Sequence, residues 1–188
     1  MRSLVLISIL LIFSVSTVQA AKKKASSKQD AKVHIQQFGN WFYRCVTPKK
    51  SRKAENCEVV QIAQAKQGKK VINLLTISIS EIVVKKKKEP VITIIAPLDV
   101  YLPKGFGLQI DKEKVITLRY RNCNKSGCWI QALLTSEIVK SLNNGKNGFG
   151  RIRLLNGKNV NIKFSLNGLT KAYQAMKKKD LPKGKKSS

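Results

Sequence analysis

The chain is poor in the residues that carry most acid–base and metal chemistry. One histidine, His34, stands among 188 residues, which leaves no His-rich metal site and few routes to a base-activated nucleophile. Only ten acidic residues are present, spread along the chain, so a paired-carboxylate hydrolase is a poor fit. Phosphate-binding loops of the Walker type and dinucleotide fingerprints are absent. Gly105-Phe106-Gly107 lacks the third glycine and the following helix. No G-x-S-x-G elbow occurs. Past the amino terminus, no apolar run approaches the roughly 20 residues that span a bilayer, so no transmembrane span is expected in the mature chain.

Positive charge is abundant. Lys and Arg number 37, and the formal net charge is +27. Lysine supplies 30 of those residues and arginine seven. Arginine is the residue that forks onto phosphates and guanine edges, whereas lysine is a hydrated point charge. No strand carries a basic and aromatic stacking pair, and no recognition helix is visible, so nucleic acid is not expected as a partner. Four clusters hold half of these basic residues. An amino-terminal arm carries Lys22, Lys23, Lys24, Lys28 and Lys32, and a loop after Pro48 carries Lys49, Lys50, Arg52 and Lys53. Lys85, Lys86, Lys87 and Lys88 mark a solvated hairpin tip, and the carboxyl-terminal tail holds Lys177, Lys178, Lys179 and three more. The last three clusters are candidate contacts to an anionic surface. Lys, Ile and Asn are all frequent, so the composition of an AT-rich genome is the competing explanation.

The amino terminus resembles an address. Arg2 precedes an almost wholly apolar stretch from Leu4 to Val18, and Val18-Gln19-Ala20 provides small residues for cleavage. Residues 1–20 are therefore expected to be a signal peptide, and the mature chain to be exported to the periplasm, outer surface or medium. Export changes the meaning of the four cysteines, Cys45, Cys57, Cys123 and Cys128. An even number in an exported chain points to disulfides. Three pairings are possible, and proximity favours Cys45–Cys57 with Cys123–Cys128. The spacing does not match zinc knuckles, and C-x-x-C is absent. No metal and no cofactor are expected.

Residues 21–37 read as a basic flexible arm containing His34, and 177–188 as a basic flexible tail. Between them, 38–176 should form one ordered domain. Trp41 to Cys45 alternates like a strand, as do Cys57 to Ala65 and the long run Val71 to Val84. Val91 to Ile95, Gly107 to Ile110, Val115 to Tyr120 and Trp129 to Leu134 follow. Phe149 to Leu155 and Val160 to Leu166 are joined by Asn156-Gly157, a hairpin signal. Thr135 can cap a short helix stopped by Gly145. Leu169, Ala172, Tyr173 and Met176 recur at helical spacing. The expectation is an all-β antiparallel sandwich or barrel-like domain of about nine strands with one or two short helices.

Several segments together resemble a known family. Phe38-Gly39-Asn40-Trp41 is followed by Cys45 and Cys57. Ala96-Pro97-Leu98 precedes Leu102-Pro103-Lys104-Gly105-Phe106-Gly107-Leu108 with Ile110-Asp111. Cys123 stands before Gly127-Cys128, and Phe164-Ser165-Leu166-Asn167-Gly168-Leu169 with Ala172 closes the domain. In order and spacing these are similar to the bacterial invasion-associated locus B family, over residues 38–176. Asn40 departs from it, since the family usually has Asp there. The resemblance implies an exported, non-enzymatic virulence factor of Gram-negative bacteria that promotes entry into host cells, notably erythrocytes. Electrostatic adhesion to a host-cell surface or an anionic envelope component would be its means. A general periplasmic accessory or chaperone-like module is the alternative, and a hydrolase with a polar Ser/Lys/carboxylate pocket is a third.

Overall fold

A computed structural model describes residues 32–48 and 56–178. Residues 1–20, most of the arm, Lys49, Lys50, Arg52, Lys53 and Lys179 lie outside that description. Among the described residues there are eleven strands and two α-helices, β1 Lys32–Phe38, β2 Trp41–Thr47, β3 Asn56–Gln67, β4 Lys70–Val84, β5 Lys87–Ala96, β6 Phe106–Ile110, β7 Ile116–Leu118, β8 Tyr120–Asn124, β9 Gly127–Leu133, α1 Ser136–Asn144, β10 Asn147–Arg153, β11 Asn159–Ser165 and α2 Leu169–Lys178. All pairings are antiparallel, in a seven-stranded sheet ordered β1-β2-β3-β4-β5-β9-β8 and a four-stranded sheet ordered β11-β10-β6-β7.

Side-chain alternation makes the sandwich. On β4, Leu75, Ile77 and Ile79 are buried, while Thr76, Ser78 and Ser80 between them are only half-buried. Burying each of those apolar side chains is worth ~1.5–3 kcal/mol. Ile92 and Ile94 of β5, Val59 of β3 and Ile130 of β9 join the same inner layer. Opposite them stand Phe106, Leu108, Ile152, Ile162 and Phe164 of the smaller sheet. The sheets come close at Gly150, where a Cβ would lie 2.5 Å from Leu75 Cδ1. Helix α2 closes one end with Leu169, Ala172, Tyr173 and Met176, all buried, against β1, β2, β3 and α1. Thr135 caps α1 by accepting from the Ile138 N–H at 3.4 Å, and the Gly145 N–H donates to the Ser141 carbonyl at 2.8 Å.

The two segments that open and close the family pattern meet here. Asn40 N–H donates to the Asn167 carbonyl at 3.1 Å, and the Trp41 indole N–H donates to the Ser165 carbonyl at 2.9 Å. Gln61, on β3, joins them. Its amide NH₂ donates to the carbonyls of Asn40 and Ser165 at 3.0 Å each, and its Oε1 accepts from the Ser165 N–H at 3.1 Å. Gln61 is the one buried polar residue among those described. Gly168 adopts φ +91°, and a Cβ there would sit 1.9 Å from the Phe38 carbonyl oxygen, so no side chain fits. Asn40 uses only its backbone in this knot, so the Asp-to-Asn departure leaves the knot intact.

Four boundaries differ from the sequence reading. Residues 32–37, read as part of the arm, form strand β1, which pairs with β2 along its whole length. Its side chains are mostly exposed, so the ladder of backbone bonds, invisible to apolar periodicity, holds it. His34 accordingly lies opposite Cys45 on a strand rather than in a flexible arm. Val115 to Tyr120 is two strands, not one. β7 joins the small sheet and β8 the large one, and with β1 this raises the count from about nine to eleven. The lysine tip is narrower than expected, since Lys85 and Lys86 alone turn the chain, at φ 46° and 67°, while Lys87 and Lys88 belong to β5. Lys177 and Lys178 complete α2 and do not start the tail.

Candidate functional site

The outer face of the seven-stranded sheet carries a trough of about 580 Å³. The hydroxyl side of β4 forms its middle. In register across neighbouring strands, Arg44 faces Glu58, which faces Ser80; Val60 faces Ser78, which faces Thr93. Thr93 faces Gln131, and Ile95 faces Trp129, on β9. Val60 and Ile95 give an apolar floor. Arg44 Nε donates to Glu58 Oε1 at 2.7 Å. Arg121 Nη1 donates to Gln131 Oε1, and Gln131 Nε2 reaches Thr93 Oγ1 at 3.5 Å. Arg121 thus has an amide as its partner, with no carboxylate among the described residues.

Trp129 is half-buried at one end of the trough. Its indole N–H donates to Asn124 Oδ1 at 3.3 Å, and that same oxygen accepts from the Ser126 N–H at 2.8 Å. The Cys123–Cys128 disulfide ties the hairpin beside its turn. Cys45–Cys57 does the same for β2 and β3, where the two cysteines are directly opposite. Both pairings are those that proximity favours. They belong to an oxidising compartment.

The charged candidates are dispersed. Lys85 to Lys88 are exposed along the β4–β5 hairpin, and Lys88 pairs with Glu81 at 3.5 Å. Lys177 and Lys178 are exposed at the end of α2, with the Lys177 ammonium 5.6 Å from the Tyr173 ring centre. The structure brings Lys88 and Lys177 to one open cavity of about 580 Å³, together with Glu81, Glu89 and Tyr173. Burial, and then the Glu81 charge, raise the Tyr173 phenol above its usual range. Two ammonium groups among two carboxylates make that rim balanced in charge.

The family segments prove to be structural. Asp111, in the left-handed region at φ 43°, accepts from the backbone N–H groups of Lys146 and Asn147, at 2.9 Å each. These bonds, the Lys146 one first, hold its carboxyl below the usual range. Leu102–Lys104 is a single 3₁₀ turn that delivers Phe106 and Leu108 to the core. Among the described residues no cluster of His, Cys, Asp and Glu could hold a metal ion. No helix among them is long and apolar enough to cross a membrane.

Sequence reasoning missed the trough. Its strand-by-strand signal, the Thr76-x-Ser78-x-Ser80 alternation, is legible on β4. Arg121, Gln131 and Trp129 reach the same face only through a register that includes a bulge between Tyr120 and Asn122.

Fold and site define a disulfide-tied, two-sheet antiparallel β domain with an open polar face. The chain belongs to the Invasion associated locus B (IalB) protein family, whose model matches residues 41–177. Among solved structures it is similar to invasion associated protein b from Bartonella henselae. The TM-score is 0.64 at 17% identity, over 78% of this chain and 97% of that one, a likeness of fold. No curated protein matches the chain.

Proposed function

We propose that the chain is an exported, non-enzymatic factor that promotes entry of a Gram-negative bacterium into host cells, notably erythrocytes, by adhesion to an anionic surface. The observation that carries this reading is the family match over residues 41–177. Disulfides across β2–β3 and β8–β9 support the exported part. The exposed lysines of the β4–β5 hairpin and the α2 end support electrostatic attraction, at ~1 kcal/mol per Lys near a negative lipid surface. Clean deletion should lower host-cell invasion without slowing growth in medium; unchanged invasion would sink the reading. Adhesion of the purified protein should weaken steeply with salt, and Lys85→Ser to Lys88→Ser with Lys177→Ser to Lys179→Ser should weaken it further at low salt.

A second reading, a periplasmic accessory module, is favoured by the charge balance where Lys88 and Lys177 meet Glu81 and Glu89. Protease shaving of intact cells separates the two. A protein cleaved at the surface supports adhesion, and one cleaved only after the outer membrane is opened supports the periplasmic role.

A further inference from the structure

We infer that the outer trough of the seven-stranded sheet binds an acidic oligosaccharide, one bearing sulfate or carboxylate groups. This names the ligand class for the adhesion proposed above and rests on that reading for its biological setting.

The first ground is what the trough offers. Thr76, Ser78 and Ser80 project hydroxyls from one side of β4, and none has a protein partner among the described residues. Successive same-face residues on a strand are ~6.8 Å apart, so these form an evenly spaced row of donors and acceptors. Gln131 and Asn122 add amides. Such a lining matches a chain of hydroxyl-bearing rings better than it matches peptide side chains, which need apolar pockets. The backbone groups of β3, β4, β5 and β9 are engaged in ladders on both sides, so a peptide strand cannot add here.

The second ground is charge complementarity. Arg44 and Arg121 stand at opposite sides of the row, with Glu58 the one carboxylate in the lining. Five strand spacings separate β2 from β8, ~24 Å at ~4.8 Å each, room for several rings. Glu58 already occupies Arg44, while Arg121 has only the Gln131 amide as partner. A guanidinium so placed can fork onto a sulfate or carboxylate. The chain's net charge of +27 would draw such a polyanion in from a distance.

The third ground is Trp129. Its ring is half-exposed, held by Asn124 and carried on a disulfide-tied hairpin. A fixed indole face suits the C–H face of a sugar ring. It is the one aromatic in the lining, whereas single-stranded nucleic acid uses several stacking platforms in succession.

The test uses the purified, oxidised protein and a size-defined heparin oligosaccharide. A neutral dextran oligosaccharide and a single-stranded oligonucleotide serve as controls. Binding is read by calorimetry and by tryptophan emission, which reports Trp129 because Trp41 is fully buried. Expected are heparin binding with a change in emission, no dextran binding and weaker oligonucleotide binding. Arg121→Gln should weaken heparin binding about tenfold, the loss of one charge-assisted bond. Ser78→Asp, which puts a negative charge mid-trough, should weaken it at least as much. Lys85→Ser with Lys86→Ser, outside the trough, should weaken it less than either trough variant, through the long-range field alone. Denaturation curves confirm that each variant is folded. Heparin binding that survives both trough variants overturns the inference, as does equal binding of the oligonucleotide or no binding of heparin. If only the lysine variants lose binding, the trough is overturned while electrostatic adhesion stands. If trough binding holds but deletion leaves invasion unchanged, host entry fails and the ligand class stands.

Discussion

Replacing Gln61 with methionine keeps the length of the side chain and removes every polar link it makes. In the native protein that side chain makes three hydrogen bonds to the backbones of Asn40 and Ser165. In Gln61→Met the Ser165 carbonyl keeps the Trp41 indole N–H. The Asn40 carbonyl and the Ser165 N–H lose their partner in a part-buried place. Each orphan costs ~1–3 kcal/mol, ~2–6 together, and the greater apolarity of methionine returns ~1 kcal/mol. The expected net loss is ~1–5 kcal/mol, a fall in Tm of about 3–15 °C for a domain of this size. Urea denaturation followed by tryptophan emission measures it, with the slope in urea unchanged. A loss under ~0.5 kcal/mol would refute the idea that this knot joins the sheets. Gln61→Glu sharpens the test through pH. Its carboxylate would face two carbonyl oxygens, so burial and repulsion raise its pKa in the folded state. For an acid raised in the folded state, stability is full below the unfolded value of about 4.3 and is lost as pH rises toward the folded value. Gln61→Glu should therefore lie closer to wild type near pH ~4 than at pH ~7, and the opposite order would sink the assignment of donors.

Three further outcomes are expected. Loss of the Cys45–Cys57 bridge, with its separation of 12, should cost ~3 kcal/mol, and loss of Cys123–Cys128, with its separation of 5, ~2 kcal/mol. Paired Cys→Ala variants in urea check this, and a larger loss for the shorter loop would contradict it. The Tyr120 hydroxyl is buried with no partner among the described residues, and burial pushes its phenol up to about 12. Tyr120→Phe should then match or exceed wild-type stability, by up to ~1 kcal/mol, whereas a clear loss would reveal a hidden hydrogen bond. Asp111, whose carboxyl is held below its ordinary value, stabilises the fold above that value and ceases to as pH falls through the lowered one. Asp111→Ala should flatten the acid side of a stability-versus-pH curve, and an unaltered acid limb would disprove the role.

What the sequence reveals and what it conceals divide by the range of the interaction. The β4 alternation, the Thr135 cap and the Leu169–Met176 periodicity are local, and each matches its element. Both disulfides join near neighbours, so proximity pairs them correctly. β1 escapes notice because Lys32–Phe38 exposes most of its side chains and is held by backbone bonds to β2. Gln61 gives no signal, because Val59-Val60-Gln61-Ile62 fits either face until the sheet is assembled. The trough depends on register across six strands, which no single segment encodes. The family segments mark turns, close approaches and core anchors, so they identify the architecture without pointing to a ligand.

The knot at Gln61 also bears on when the domain can form. Its partners are contributed by opposite ends of the described chain, Trp41 and Ser165 being 124 residues apart in sequence. A growing polypeptide has Trp41, Asn40 and Gln61 long before it has Ser165 and Gly168. Until those arrive, the amino-terminal strands lack the groups that would close them. The knot therefore locks only when the final segment has been made.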